Sequence, residues 1–232
     1  MVEHSLGTCV LFIEIRGGVF YLAADSFYGN AFRESQSGCK IFKRGDVYWA
    51  AATHYFEYEH TGFSLAKILA SVAPQGNLAA EIDVFVKAVT APLERAIADS
   101  RKYDPSFYAQ LAAGKGSPLE IVFIAVKNGE PKYESITFIP EKLKGRISLK
   151  PRRLERTAPT PQRPIVVNGL GSYEAAFVYL QQHGIGIDPA RTITESLARE
   201  ATADPTRVGP PFSIIRLDSK GAQWLTQGEC KQ

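Results

Sequence analysis

A short β-hairpin near the start of the chain constrains the fold more than any other feature. Residues 10–15 alternate in pattern and are rich in β-branched and aromatic side chains, which is typical of a strand. The glycine pair Gly17–Gly18 predicts a tight turn, because glycine tolerates the positive φ that such turns require. Residues 19–24 then return as a nearly unbroken apolar run that ends at Asp25. The second strand is therefore predicted to be buried on both faces.

The rest of the chain predicts strands, two helices, strands, two helices and strands, in that order. The predicted strand pairs lie in residues 38–53, in 119–138 around Asn128–Gly129, and in 212–225, and the helices in 62–98, 173–183 and 193–203. Pro92 is expected to kink or end the long helical region, and Ser172 to cap the next helix. This order gives each sheet one helical layer, so we predict an α+β fold, an αββα four-layer sandwich.

Composition and charge exclude several classes of protein. A chain of 232 residues that is 45% hydrophobic and 22% charged can bury a large core. The net charge of +3 is too small to imply a nucleic-acid partner, and no apolar run approaches the length that spans a bilayer. Residues 141–164 are basic and contain proline, so they are expected to form an exposed loop.

Two further patterns are interpreted without a cofactor or metal. His54, Glu57 and His60 fit no standard zinc spacing. Gly169-Leu170-Gly171 precedes a predicted helix, but it is an incomplete dinucleotide motif and is better explained as a tight turn. We therefore predict neither a metal site nor a cofactor site.

Several short segments together resemble the β-type subunits of the proteasome, in a divergent bacterial form. The matching segments are Gly7-Thr8 before the first strand, Ala23-Ala24-Asp25-Ser26, Gly38-Cys39-Lys40-Ile41-Phe42, the glycine-rich run 168–176 and the acidic turn 204–209. Lys40 follows Thr8 by 32 residues, which is the family spacing. The resemblance implies the αββα fold again. It also implies an N-terminal-nucleophile hydrolase over residues 8–232, a single domain released by cleavage of Gly7–Thr8 from a pro-segment, residues 1–7.

The resemblance also assigns roles to individual residues. Thr8 becomes the nucleophile, and its freed α-amine, with a reference pKa of about 7.7–8.0, becomes the base. Lys40 favours the neutral amine, and Asp25 holds Lys40 charged and oriented. Backbone N–H groups near Ala52 and Thr53 form the oxyanion hole. Gly171 and Asp204 support the site. The implied reaction is hydrolysis of a peptide or protein substrate by a threonine peptidase.

Two departures from the family favour an alternative. The family has a serine where this chain has Leu170 and another where it has Arg207, and both serines help to position the amine of the nucleophile. The alternative is a non-catalytic structural or binding subunit on the same fold.

Cys9 is the rival nucleophile, because counting back from Asp25 without a gap places Cys9 first. That register puts Glu14 and Arg16 on the buried face of the first strand. A start at Thr8 puts Leu11 and Ile13 there instead. A slip of one residue inverts the two faces, so alternation favours Thr8.

The resemblance has consequences for the cysteines and the partners. Cys9 and Cys39 adjoin Thr8 and Lys40, and side-chain alternation sends both toward the opposite face, which predicts a Cys9–Cys39 disulfide with Cys230 left free. That bridge would indicate export to an oxidising compartment, and its absence a cytoplasmic protein. The resemblance further implies a homo-oligomer, with an ATPase or another activator as a candidate partner. The basic stretch within 141–164 lacks interleaved aromatic residues, so we expect neither a nucleic-acid nor a membrane partner.

Overall fold

The computed structural model describes residues 8–30, 33–53, 57–58, 62–127, 130–143, 145–154 and 157–230. The strands among them are β1 Cys9–Ile15, β2 Val19–Ala24, β3 Phe27–Asn30, β4 Arg33–Ser37, β5 Ile41–Arg44, β6 Val47–Thr53, β7 Glu57–Tyr58, β8 Phe63–Ser64, β9 Leu119–Lys127, β10 Glu130–Leu143, β11 Arg146–Arg153, β12 Ile165–Gly171, β13 Ser213–Asp218 and β14 Gly221–Thr226. The helices are α1 Leu65–Ser71, α2 Leu78–Tyr103, α3 Pro105–Ala112, α4 Glu174–His183 and α5 Pro189–Ala203. The predicted turn at Asn128–Gly129 lies outside the described residues.

Two five-stranded sheets organise these elements. One has the order β12-β1-β2-β13-β14 and the other the order β11-β10-β9-β6-β5, while β3–β4 and β7–β8 form two-stranded ribbons. Together with the five helices, the antiparallel sheets make an α+β sandwich, which confirms the predicted fold class. The described residues group into two compact units, one within 53–120 and 134–154 and the other within 8–52, 121–133 and 157–230. The single domain over 8–232 stays a prediction.

The unit that contains β1 has an apolar core between its sheet and the α4–α5 pair. Cys9, Leu11 and Ile13 of β1 join Leu180 of α4 and Leu197 of α5 in one buried cluster. On the opposite face of β1, Phe12 packs against the ring of Tyr133 with centroids 5.2 Å apart. Both hairpin strands are therefore buried on both faces, as the apolar run predicted for β2.

Helix α2 dominates the other unit and runs through Pro92. The expectation that a helical segment ends at Pro92 was wrong, since α2 is continuous over 26 residues. Proline removes one backbone hydrogen bond from a helix, but burial of the neighbouring Val89 and Leu93 favours continuation. Glu94 also ties α2 to β11, because its carboxylate accepts from the Leu149 N–H at 2.8 Å.

The first part of the basic segment forms strands, so the loop predicted over 141–164 was wrong for residues 141–143 and 146–153, whereas residues 157–164 lie outside the strands and helices. Glu141 of β10 lies opposite Ser148 of β11, and Ile139 lies opposite Lys150. Strand β11 is the edge of its sheet. Edge strands often carry lysine, arginine and proline, which discourage pairing with another chain and also obscure the two-residue periodicity of a strand.

Helix α4 is capped differently from the prediction. Its N-cap is Tyr173, which makes no side-chain capping bond, and Ser172 lies one residue earlier. Glu200 of α5 supplies the missing acceptor, because its carboxylate accepts from the N–H groups of Ala175 and Ala176 at 2.7 and 3.1 Å. A carboxylate from α5 thus satisfies the free N–H groups at the start of the preceding helix, α4. Ser172 is left available for another contact.

Candidate functional site

A buried carboxylate at the end of β2 organises the site. Asp25 is completely buried, and its Oδ1 accepts from the Cys9 N–H and from Lys40 Nζ, both at 2.8 Å. Its Oδ2 accepts from the N–H groups of Phe27 at 3.1 Å and Gly209 at 3.3 Å. Four donors converging on one carboxyl group stabilise its ionised form, which only accepts hydrogen bonds.

Lys40 is the partner of that carboxylate, and it is only 1% exposed. It precedes β5, and its ammonium group reaches Asp25 across the interior of the unit. Burial raises the pKa of the Asp25 carboxyl and lowers the pKa of the Lys40 ammonium, whereas their mutual attraction opposes both shifts. Asp25 and Lys40 therefore depend on their mutual attraction, and on the hydrogen bonds that they make, to remain charged.

The peptide group that follows Thr8 is held at both ends. The Thr8 carbonyl accepts from the Ser172 N–H at 2.9 Å, and the Cys9 N–H donates to Asp25. Thr8 itself is 4% exposed. One peptide group thus links Thr8 to the Asp25–Lys40 pair on one side and to the end of β12 on the other.

Gly171 permits the second of these contacts. It pairs with Cys9 across β1 and β12 and has a φ of +73°. A Cβ at this position would overlap the Thr8 carbonyl oxygen and would lie 3.2 Å from the Cβ of Ala52. Both the backbone conformation and the space around it therefore require glycine.

Replacing Gly171 with alanine is expected to disrupt the site as well as strain the backbone. The added Cβ must displace Thr8, so the loss of stability should exceed the roughly 1–2 kcal/mol of a left-handed alanine alone. Gly76→Ala is the matched control, since Gly76 has a φ of +75° and nothing within 4 Å of the added Cβ. Urea unfolding of both variants measures the difference, and equal losses would contradict the proposed close approach.

Ser172 was missed as a site residue, because its position before a helix suggested only a cap. Its hydroxyl donates to Asp204 at 3.0 Å while its N–H holds Thr8. Asp204 also lies 3.4 Å from the guanidinium of Arg207. The predicted support residue Asp204 is therefore connected to Thr8 through Ser172. The sequence does contain a signal for this role of Ser172. A serine directly follows Gly171, and the acidic turn at 204–209 supplies a carboxylate that its hydroxyl can bind.

The segment 204–209 contacts the groups that hold the Thr8–Cys9 peptide group on both sides, which we call the clamped peptide group. Asp204, at its start, accepts from Ser172, and Gly209, at its end, donates to Asp25. A single turn after α5 thus fixes the two groups that hold Thr8 and Cys9.

The predicted Cys9–Cys39 disulfide was wrong. Cys39 pairs with Cys230, and Cys9 is a free, buried thiol. The prediction placed both side chains on one face, but Cys9 points into the cluster with Leu180 and Leu197. Burial also raises the pKa of the Cys9 thiol well above its ordinary value, which disfavours the thiolate that a nucleophile requires.

The alternation argument against Cys9 needs correction as well. It assumed that Glu14 requires an exposed face, yet Glu14 is only 5% exposed. Because β1 is buried on both faces, alternation alone does not choose between Thr8 and Cys9. Core burial of the Cys9 side chain is the stronger argument for Thr8.

The two residues predicted to form the oxyanion hole, Ala52 and Thr53, are both buried at the end of β6. Ala52 is buried at the end region of β6, next to Gly171. Thr53 is also buried, and its hydroxyl donates to the Pro118 carbonyl at 2.8 Å. Gly7 and the pro-segment lie outside the described residues, as do His54 and His60. Their predicted roles stay predictions.

Comparison with known proteins identifies the fold. No family model matches the chain, and no curated protein matches it. Solved structures do match, including the helical assembly of the Anbu complex from Pseudomonas aeruginosa, with a TM-score of 0.54 and 14% identity over 94% of this chain and 87% of that one. Anbu, an ancestral β-subunit, from Yersinia bercovieri gives 0.52 and 12% over 95% and 88%. A Gly-1 mutant of Anbu from Hyphomicrobium sp. strain MC1 gives 0.52 and 12% over 94% and 87%. The chain therefore shares the Anbu fold.

The described residues contain neither a candidate membrane-spanning helix nor a candidate metal site. None of the described helices is long and apolar enough to cross a membrane. Nor do His, Cys, Asp and Glu side chains form a group of three suited to a metal ion in the part of the chain that the structure describes.

Proposed function

We propose that this protein is a proteasome-like threonine hydrolase, activated by cleavage of the Gly7–Thr8 bond and acting on peptides or proteins. The observation that carries the proposal is the clamped peptide group after Thr8. Its carbonyl is held by Ser172 and its N–H by Asp25, which also binds Lys40. A nucleophile needs a fixed position relative to its activating groups, and this arrangement fixes the backbone that carries Thr8.

Activation in this scheme uses the same hydroxyl as catalysis. Thr8 Oγ attacks the carbonyl carbon of Gly7, and the peptide C–N bond breaks as an ester forms, with the proton passing to the threonine nitrogen. Water then hydrolyses the ester, releasing residues 1–7 and restoring the hydroxyl. The product carries a free α-amine beside that hydroxyl, which is the base the next reaction requires.

Substrate hydrolysis follows the same order. The α-amine takes the Oγ proton as Oγ attacks a substrate amide, and it returns the proton to the leaving amine as the acyl-enzyme ester forms. Water hydrolyses that ester. The positive charge of Lys40 favours the neutral amine and stabilises negative charge that develops nearby. Asp25 keeps Lys40 charged and oriented.

The structural neighbours support an assembled protein. Anbu from Pseudomonas aeruginosa is a helical assembly, and this chain shares its fold. We therefore propose that the chain forms a homo-oligomer, which light scattering would test. A strict monomer at high protein concentration would contradict it. The Cys39–Cys230 bridge favours an oxidising compartment, because structural disulfides persist there.

The alternative is a non-catalytic subunit on the same fold. Arg207 favours it, since a guanidinium contacts Asp204 where the family has a small serine. Intact mass measured before and after storage, with N-terminal sequencing, separates the two functions. Loss of residues 1–7 with Thr8 as the new first residue supports the hydrolase. A chain that keeps Gly7–Thr8 intact and hydrolyses no peptide in a mixed library supports the alternative.

A further inference from the structure

The Cys39–Cys230 disulfide lies immediately beside Lys40. Cys39 is the residue before Lys40, and Ile41 is the residue after it. Both sulfurs approach the carbonyl oxygen of Ile41, at 2.8 Å from Cys39 and 3.7 Å from Cys230. The bridge therefore contacts the backbone on both sides of Lys40, and Cys230 is itself 3% exposed.

The other end of the bridge is anchored in the same unit. The Cys230 N–H donates to the Gln227 carbonyl at 2.7 Å, and the same carbonyl accepts from the Ser213 hydroxyl at 2.8 Å. Gly228 approaches so closely that an added Cβ would lie 2.6 Å from Ser213 Oγ. Residues 227–230, which we call the tail, therefore pack against Ser213, the first residue of β13.

Strand β13 continues the connection to the site. Ser213 lies opposite Ala24 of β2, and Asp25 follows Ala24. The disulfide, the tail, β13 and the end of β2 thus form a closed ring of contacts that returns to Lys40 through the Asp25 ion pair. Without the bridge, the segment before β5 is no longer joined to the tail, and Lys40 loses one of the restraints on its backbone.

We propose that the Cys39–Cys230 disulfide positions Lys40 for the hydrolysis proposed above, so that full activity requires the oxidised chain. The inference rests on the proposed function. Cys39 and Cys230 are positioning residues, since they act through Lys40. Reduction by a dithiol breaks the S–S bond and gives two thiols in the protein, while the reductant is oxidised to its cyclic disulfide.

The test compares the wild type with the Cys39→Ser/Cys230→Ser variant, at a temperature where near-UV circular dichroism shows both to be folded. Lys40 acts on reacting groups, so we expect kcat to fall at least tenfold while KM changes less than twofold. Reduced wild type should show the same loss, and reoxidation should restore kcat. Gln223→Ser, an exposed change on β14, is the control and should behave as the wild type.

Amide hydrogen exchange separates failure of this inference from failure of the proposed function. Loss of the bridge should speed exchange at residues 40–42 at least tenfold, with little change in β1 and β12. This readout holds even if the wild type hydrolyses nothing, an outcome that would count against the proposed function. Unchanged exchange at 40–42, or a kcat loss that only follows the unfolded fraction, would overturn the positioning role. If the double variant does not fold, reduced wild type provides the same comparison.

Discussion

Replacement of Thr8 by alanine is expected to abolish both cleavage of Gly7–Thr8 and hydrolysis of substrates. In the proposed mechanism one hydroxyl serves both reactions, so its removal leaves no nucleophile for either. Loss of the nucleophile of a serine hydrolase costs about 10⁶-fold in kcat. Intact mass should show residues 1–7 retained, and a peptide assay should give no turnover above background.

Thr8→Ser is the matched control, because it keeps the hydroxyl and removes only a methyl group. It should retain measurable processing and hydrolysis, and its fold should be unchanged. Full activity in Thr8→Ala would instead eliminate Thr8 as nucleophile. The core position of Cys9 makes that side chain a poor substitute, so such a result would point to a different site altogether.

The hairpin and the Asp25–Lys40 pair were predictable for different reasons. Periodicity and the glycine pair specify the β1–β2 hairpin locally, and the structure confirms it. The sequence alone would not bring Asp25 to Lys40, which lies 15 residues later and beyond a further strand pair. Family spacing supplied that relation, and the 2.8 Å contact agrees with it.

The disulfide was mispredicted because side-chain alternation gives only the face of a strand on which a side chain lies. It does not say which other segment of the chain packs against that face. Cys9 and Cys39 follow the rule only if their strands pair in the assumed way. Cys230 belongs to a polar tail with no periodic pattern, so nothing in the sequence brings it near Cys39. In the structure Gly228 packs closely against Ser213 near Cys230, a contact between segments that are distant in the sequence.

Ser172 illustrates how one residue can satisfy two interpretations. A serine before a helix is a common cap, and local preference therefore predicted that role. In the structure Glu200 performs the capping, which leaves the Ser172 hydroxyl for Asp204. Ser172 and Glu200 are alternative partners for the N–H groups at the start of α4. The packing of α5 against α4 decides between them, and no local sequence pattern predicts that packing.

Replacement of Lys40 by methionine is expected to destabilise the protein and to remove the proposed hydrolytic activity. Methionine fills similar space, but it leaves the ionised Asp25 buried without its countercharge. Breaking a buried ion pair on one side costs roughly 3–5 kcal/mol. Arg153→Met is the control for loss of a cation, because the partners of Arg153 lie in an exposed network with Asp83 and Glu134. Exposed pairs of this kind contribute about 0–1 kcal/mol.

The pH dependence of the Lys40→Met loss provides the sharper test. Burial already raises the pKa of Asp25 with Lys40 present, and removal of Lys40 takes away an interaction that opposes this rise. In the folded variant Asp25 then binds a proton more tightly than it does in the unfolded chain. The free energy of unfolding of the variant therefore decreases as the pH rises from the carboxyl pKa of the unfolded chain toward the raised pKa of the folded variant. The deficit relative to wild type should therefore be largest at neutral pH and shrink in acid. Urea unfolding at pH 7 and pH 5 measures it, and an equal deficit at both would show that Lys40 contributes packing and not charge.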